Sequence, residues 1–215
     1  RAGASITINR SVISQNTASG AGGALYCYDA GTISLTQSIV YNNSLPEIAF
    51  ANEDLVNQLS MEYSNFSGAL DSIVQYENDI VTVGSGNISY DNTDWWEEYN
   101  YLDPKFIDSD NYNYHLLASS QLINAGHPDS TDSDGTRADM GAYPYLNSYS
   151  GPIWYITEDG NDTTGTGASD DPFRSIQSAI NFSSGGDSVT VAEGTYDEND
   201  IYLRERNIKV VGAGI

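Results

Sequence analysis

The chain has 215 residues, 39% of them hydrophobic, with 30 acidic side chains against 8 basic ones and a formal net charge of −22. So large a negative charge excludes nucleic acid and anionic membrane surfaces as partners, and suits an extracellular or cell-surface setting with divalent cations as counter-ions. A single cysteine, Cys27, excludes an internal disulfide, and no apolar run is long enough to span a membrane.

The first residues, RAGASITINR, read as mid-domain sequence with no secretion signal, as expected of a processed product or a segment of a longer protein. An internal repeat follows. SITINRSVISQN from Ser5, TISLTQSIVYNN from Thr32 and QLSMEYSNFSGA from Gln58 align at spacings of 27 and 26 residues. Ile8, Leu35 and Met61 fall in one column, Ser11, Ser38 and Ser64 in another, and Asn16 and Asn43 in a third. Between these stretches, GGALYCYDA and PEIAFANED align with Ala24–Leu25 over Ile48–Ala49, and Cys27 alternates with Leu25 as a buried structural thiol. Apolar residues recur at period two, as in Ile6/Ile8, Ile33/Leu35 and Leu59/Met61, which predicts short strands separated by turns. A repeat this small cannot bury its apolar face alone. Stacking each strand on its equivalent one turn of the chain away, about 4.8 Å distant, solves that and puts like residues on like. The expected fold is all-β, a right-handed parallel β-helix, or solenoid.

Further along, DWWEEYNYLDP carries Trp95, Trp96, Tyr99 and Tyr101, which either plug the end of the solenoid or offer faces on which sugars stack. His115 in YHL is expected to pack within a strand, and His127 to be solvated in a turn. HPDSTDSDGTRADMG brings Asp129, Asp132, Asp134 and Asp139 together around Gly135, alternating oxygen donors of the kind calcium prefers. A second candidate lies around Asp159, Asn161 and Asp162. Next, Asp171–Pro172 starts a helix with Pro in its first turn, Phe173, Ile176, Ala179 and Ile180 form its apolar stripe, and Gly185–Gly186 end it. This predicts one short capping α-helix near 172–182. DSVTVAEGTY, IYL and NIKVVGAG supply the strands that follow it.

Several of these stretches resemble a known superfamily. SITINRSVISQN…TISLTQSIVYNN is similar to the β-helix repeats of secreted bacterial proteins in the pectate-lyase-like superfamily. YLDPKFIDSDNYNYHLLASSQLINAGHPDSTDSDGTRADMGAYPY resembles the module that closes such β-helices, through Asp103–Pro104–Phe106–Asp108, Tyr114–His115–Leu116, Ser120–Ile123–Ala125–Gly126 and Asp132 to Tyr143. Asn124 departs from that pattern, where Asp is commoner. Residues 153–215 resemble the start of a β-helix. The resemblance implies terminal coils over 1–98, a closing module over 99–148, and a cap with the first coils of a following β-helix over 149–215.

An ending therefore precedes a beginning. That order suits an excerpt of a tandem protein, two β-helices in one chain, or a unit whose last strands stack on the first strands of another copy. The last is a non-enzymatic head-to-tail filament or surface fibre, joined through Ile6 and Ile8 of one copy and Ile208, Val210 and Val211 of the next. A carbohydrate-binding or adhesive module using Trp95, Trp96 and Tyr99 is the alternative, with glycans as partners. A polysaccharide lyase would need a base, and Lys105, Arg137, Arg174, Arg204, Arg206 and Lys209 are the basic side chains beyond the repeats. Asn-x-Ser/Thr sequons at Asn9, Asn42, Asn65, Asn87, Asn161 and Asn181 are candidate glycosylation sites. Asp71–Ser72–Ile73 and Asp187–Ser188–Val189 fit an O-glycosylation pattern that the resemblance implies.

Overall fold

The computed structural model describes residues 3–51, 53–67, 73–89, 102–199 and 201–213. The protein is built mainly of strands lying in parallel sheets, with one α-helix. It divides into two compact units: residues 1–104 with 125–128 and 140–142, and residues 105–124 with 129–139 and 143–215. The expected closing module at 99–148 is thus shared between the two.

In the first unit the chain visits three sheets in rotation. Strands β1 (Ser5–Asn9), β2 (Val12–Ser14) and β3 (Leu25–Cys27) make one circuit, and β4 (Thr32–Thr36), β5 (Ile39–Tyr41) and β6 (Ile48–Phe50) the next. The third circuit is β7 (Gln58–Glu62), β8 (Asn65–Phe66) and β9 (Ile73–Val74), followed by β10 (Ile80–Val83) and β11 (Ile88–Ser89). Equivalent strands pair in parallel, giving sheets β1-β4-β7-β10, β2-β5-β8-β11 and β3-β6-β9. Ile6, Ile33, Leu59 and Val81 lie in one column, and Ile8, Leu35, Met61 and Val83 in the next. Ile33, Leu35, Leu59 and Met61 join Val40, Ile48, Phe50, Phe66 and Ile73 in one buried cluster, so like apolar side chains stack along its length.

One sequence expectation is corrected here. Leu25 pairs with Ile48, not Ala49. A one-residue slip would turn Leu25 and Cys27 outward and Tyr26 inward. In the observed register Tyr26 is exposed, while Cys27 is half-buried against the core, its thiol pKa raised by burial. The fourth strand of the first sheet, Ile80–Val83, escapes a fixed-period alignment because Gln58 pairs with Ile80, a step of only 22 residues.

Columns of polar side chains join the circuits at their corners. Arg10, Gln37 and Tyr63 each adopt a left-handed conformation, and a serine follows each. The N–H of Ser11 donates to Ser38 Oγ (3.2 Å), that of Ser38 to Ser64 Oγ (3.1 Å), and that of Ser64 to Asn87 Oδ1 (3.0 Å). Asn16 donates to Asn43 Oδ1 from both its N–H (3.0 Å) and its Nδ2 (2.9 Å), as the aligned asparagines predict. Glu47 is fully buried and accepts from Asn43 and Ser67.

The outer face of β2-β5-β8-β11 is apolar at Val12 and Ile39, and segment 140–142 covers it. The N–H of Gly141 donates to Gln37 O (2.8 Å), and that of His127 to Gln37 Oε1 (3.1 Å). The backbone of Gly141 lies at φ +98, and a Cβ there would stand 2.7 Å from Ile39 Cδ1. Gly141→Ala is therefore expected to lower stability by about 2 kcal/mol, combining a conformation only glycine adopts readily with a contact Ile39 must yield. Urea unfolding would show it, and an unchanged midpoint would contradict the packing described.

In the second unit, β12 (Phe106–Asp108) and β13 (Asn113–Leu116) form an antiparallel hairpin around a 3-10 turn at Ser109–Asn111. Strands β14 (Ile153–Ile156), β15 (Ser188–Val191) and β16 (Lys209–Gly212) form a parallel sheet against which α1 (Ile176–Phe182) packs. Its core is aromatic: Trp154 stacks on Phe173 and Phe182 and donates Nε1–H to Asp187 Oδ2 (2.9 Å). The helix is shorter than the sequence predicts. Phe173 accepts from the N–H of Thr157 and donates its own N–H to Tyr155 O, so bridging to β14 holds its backbone out of helical geometry. Ile201–Leu203, expected as a strand, is irregular, because Gln177 clips Tyr202 through both its N–H (2.7 Å) and its carbonyl (3.2 Å).

Candidate functional site

The surfaces that stand out chemically are the edges of the parallel sheets. Among the described residues, β1 pairs only with β4, and β16 only with β15. Both carry exposed apolar side chains: Ile6 is 48% exposed and Val210 46%. Beside β16, Ile201, Tyr202 and Leu203 are exposed as well. Parity decides which of these residues belong to a core. Ile6 and Ile8 continue columns whose next members, Ile33 and Leu35, are buried, and Val210 continues the column of buried Val189 and Trp154. Val211 lies over Thr190 and Tyr155 on the other face, so of the predicted junction residues it is the one that does not point inward. Ile208 has the parity of Val210 and is half-buried.

Charged groups in the second unit serve the short helix. Asp162 Oδ1 accepts from the N–H groups of Arg174 (2.9 Å) and Ser175 (3.2 Å) and from Ser178 Oγ (2.8 Å). Glu198 accepts from the N–H groups of Ile176 (2.6 Å) and Gln177 (3.1 Å). At the other end, Arg206 Nη1 donates to Ile180, Asn181 and Ser183 carbonyls at 2.7, 3.0 and 2.5 Å. Carboxylates at the amino end and a guanidinium at the carboxyl end both oppose the helix dipole. Arg204 donates to the carbonyls of Ile123 and Gln121, and burial, with Arg206 nearby, brings its pKa down to about 10. Arg174 donates to Glu158 O. These candidate bases are engaged in structural hydrogen bonds.

The acidic turn is held by hydrogen bonds to its own carboxylates. Asp132 Oδ2 accepts from the N–H of Asp139 (2.9 Å), Asp134 from Thr136 and Asn147, and Asp139 from Asn124 (2.6 Å) and Tyr145 (2.7 Å). These carboxylates point at backbone amides and pin the loop. Asp129 is exposed. Among the described residues no three His, Cys, Asp or Glu side chains are grouped as metal ligands. Burial pushes the Asp139 carboxyl up to about 7, Asp132 and Asp134 adding to it against its two amide donors. Burial opposes ionisation of Asp134 too, but hydrogen bonds from Asn147 and Thr136 outweigh it and hold that carboxyl below its ordinary range.

The sequons separate by burial. Asn65 and Asn181 are fully buried, with Nδ2 donating to Ile88 O and to Ala118 and Ser120 O, so neither can carry a glycan in the folded protein. Nδ2 of Asn87 donates to Met61 O and Gly84 O. Asn9, Asn42 and Asn161 are exposed, and Asn42 sits at a left-handed corner. Trp95, Trp96, Tyr99 and Tyr101 lie outside the described residues, as do Asp71 and Ser72.

His115 lies in β13, as expected, with its side chain exposed. Its ring lies 4.6 Å from that of Tyr143 at 30°. It borders a groove of about 320 Å³ that sequence reasoning did not foresee, because its walls come from the hairpin, from 144–146 and from 163–164. His127 is half-buried and meets Tyr63 edge-on at 4.8 Å.

Residues 158–201 match a family described as a protein of unknown function (DUF1565), one associated with β-helix proteins. The matched stretch contains α1 and both carboxylates, Asp162 and Glu198, that cap its amino end. No curated protein and no solved structure matches the chain.

Proposed function

We propose that this chain is a structural element of an extracellular, head-to-tail fibre, built as a right-handed parallel β-helix whose exposed sheet edges are continued by a second copy. Strands that return in parallel to the same three sheets support this reading, and right-handed crossovers are nearly universal in parallel connections. The carrying observation is that, among the described residues, β1 pairs only with β4 and β16 only with β15, and both expose apolar residues of inward parity. In the joined state Ile208 and Val210 stack on Ile6 and Ile8, with Val211 outside. The gain is a few kcal/mol at about 25 cal/mol per Å² of apolar surface buried. A charge of −22 per copy opposes association, so salt or calcium favours it by screening.

Electron microscopy and sedimentation of the purified chain at rising salt and calcium test this. Fibres with an axial repeat of one unit are expected. Val210→Asp should abolish them without moving the melting temperature, since Val210 is exposed in the single copy. Val211→Asp, on the outer face, should weaken assembly far less. Compact monomers at every salt and protein concentration, or equal effects of the two aspartates, would sink the proposal.

A further inference from the structure

The geometry points to a binding groove for a neutral oligosaccharide in the second unit, on the hairpin of β12 and β13. The argument rests on chemistry. The floor and sides are apolar, from Ile107, Leu116 and Leu146, and Leu146 is 53% exposed. The rim carries Asn113, His115 and Thr164. Asn113 Oδ1 accepts from the backbone N–H of His115 (3.3 Å) and faces its Nδ1 at 3.0 Å, so Nδ1 carries the proton. That leaves His115 Nε2 as an acceptor and Asn113 Nδ2 as a donor on one rim. A hydroxyl that both donates and accepts suits such a pair. Opposite, Thr164 Oγ1 accepts from Asn161 Nδ2 (3.0 Å), which leaves its own hydrogen to donate.

The His115 ring supplies an aromatic face to the groove and rests on Tyr143, which stands behind it outside the lining. An aromatic face with a few directional polar groups in an otherwise apolar concavity recognises pyranose rings, which have an apolar C–H face and a periphery of hydroxyls. Charge decides the class of sugar. Among the described residues no carboxylate, Lys or Arg lines the groove, and the protein is strongly negative. Uronates and sulfated sugars would be repelled without a partner, so the ligand is uncharged. This groove is separate from the sheet edges, and its occupancy does not depend on fibre formation.

Calorimetry of the 215-residue chain with cellohexaose, xylohexaose and mannohexaose, with an oligogalacturonate as the charged control, tests the assignment. Binding to at least one neutral oligosaccharide is expected, together with shifts of the Asn113 and His115 amide signals in the wild-type protein. His115→Ala should weaken it by about tenfold, and Tyr143→Ala, which removes only the ring His115 rests on, by less. Tyr26→Ala, an exposed tyrosine of the first unit, should leave it unchanged. Three results would overturn the proposal: no binding to any neutral oligosaccharide, binding to the uronate alone, or shifts confined to residues away from the hairpin.

Discussion

Raising the pH from about 4 to about 7 is expected to destabilise the second unit, and Asp139→Asn should remove that dependence. Asp139 is 1% exposed, and its carboxyl titrates near 7 in the folded protein, against an ordinary 3.8. A folded-state value above the unfolded one means that the protonated form is favoured by folding. Its contribution is complete below the unfolded pKa and is lost as pH rises through the folded one. The gap between 3.8 and about 7 corresponds to about 4 kcal/mol at most. Asp134 acts in the opposite sense and outside this window. Its depressed carboxyl contributes stability above the unfolded value that is lost only as pH falls further. Asparagine at position 139 lacks the charge and keeps one acceptor, but turns an NH₂ toward either the Asn124 or the Tyr145 amide. The variant should therefore be less stable than wild type near pH 4 and match or exceed it near pH 8. Melting curves of both proteins across that range would decide, and parallel profiles would refute the assignment.

Asp162→Ala should cost the second unit about 2–4 kcal/mol, because one carboxylate oxygen serves two amides and a hydroxyl at the start of α1. A helix of 7 residues has little cooperative stability of its own, so loss of its cap reaches the aromatic core it supports. Asp162→Asn is the informative companion. All three bonds fall on Oδ1, which asparagine retains, so it should lose only the attraction between charge and helix dipole, about 1 kcal/mol or less. Equal losses in the two variants, measured by denaturant unfolding, would contradict the capping role.

The circuits were legible in the sequence because side-chain alternation and stacking impose a one-to-one correspondence between residues 26 or 27 positions apart, and Ile33/Leu59 or Asn16/Asn43 report it directly. Where a circuit shortens to 22 residues that correspondence breaks, and Asn87 takes the place of a serine by reaching the same amide with a longer side chain. The hydrogen bonding inside the acidic turn was not legible for a related reason. Spacing shows that Asp132, Asp134 and Asp139 lie close together, but whether carboxylates converge on a cation or diverge to separate amides depends on Asn124, Tyr145 and Asn147. The helix caps were hidden because Asp162 and Glu198 stand 14 and 22 residues from Ile176. The groove at His115 was hidden because its walls come from three separate stretches of chain.

Five rungs of the polar columns in the first unit run the same way. In each rung the backbone N–H of the earlier circuit donates to a side-chain oxygen of the later one: Ser11 to Ser38, Ser38 to Ser64, Asn16 to Asn43, Gly31 to Asn57, Asn57 to Asp79. Side-chain amides answer in the other direction, Asn43 Nδ2 donating to Ile13 O and Asn87 Nδ2 to Met61 O. A chain emerging from amino to carboxyl end would lock every layer as the next is laid, like a ratchet that advances but does not reverse. In these rungs the stack is also a vector: backbone amides donate toward the later circuit, whose side-chain oxygens accept. Two identical faces brought together would leave one kind of group unanswered, so any growth along this axis has a single direction.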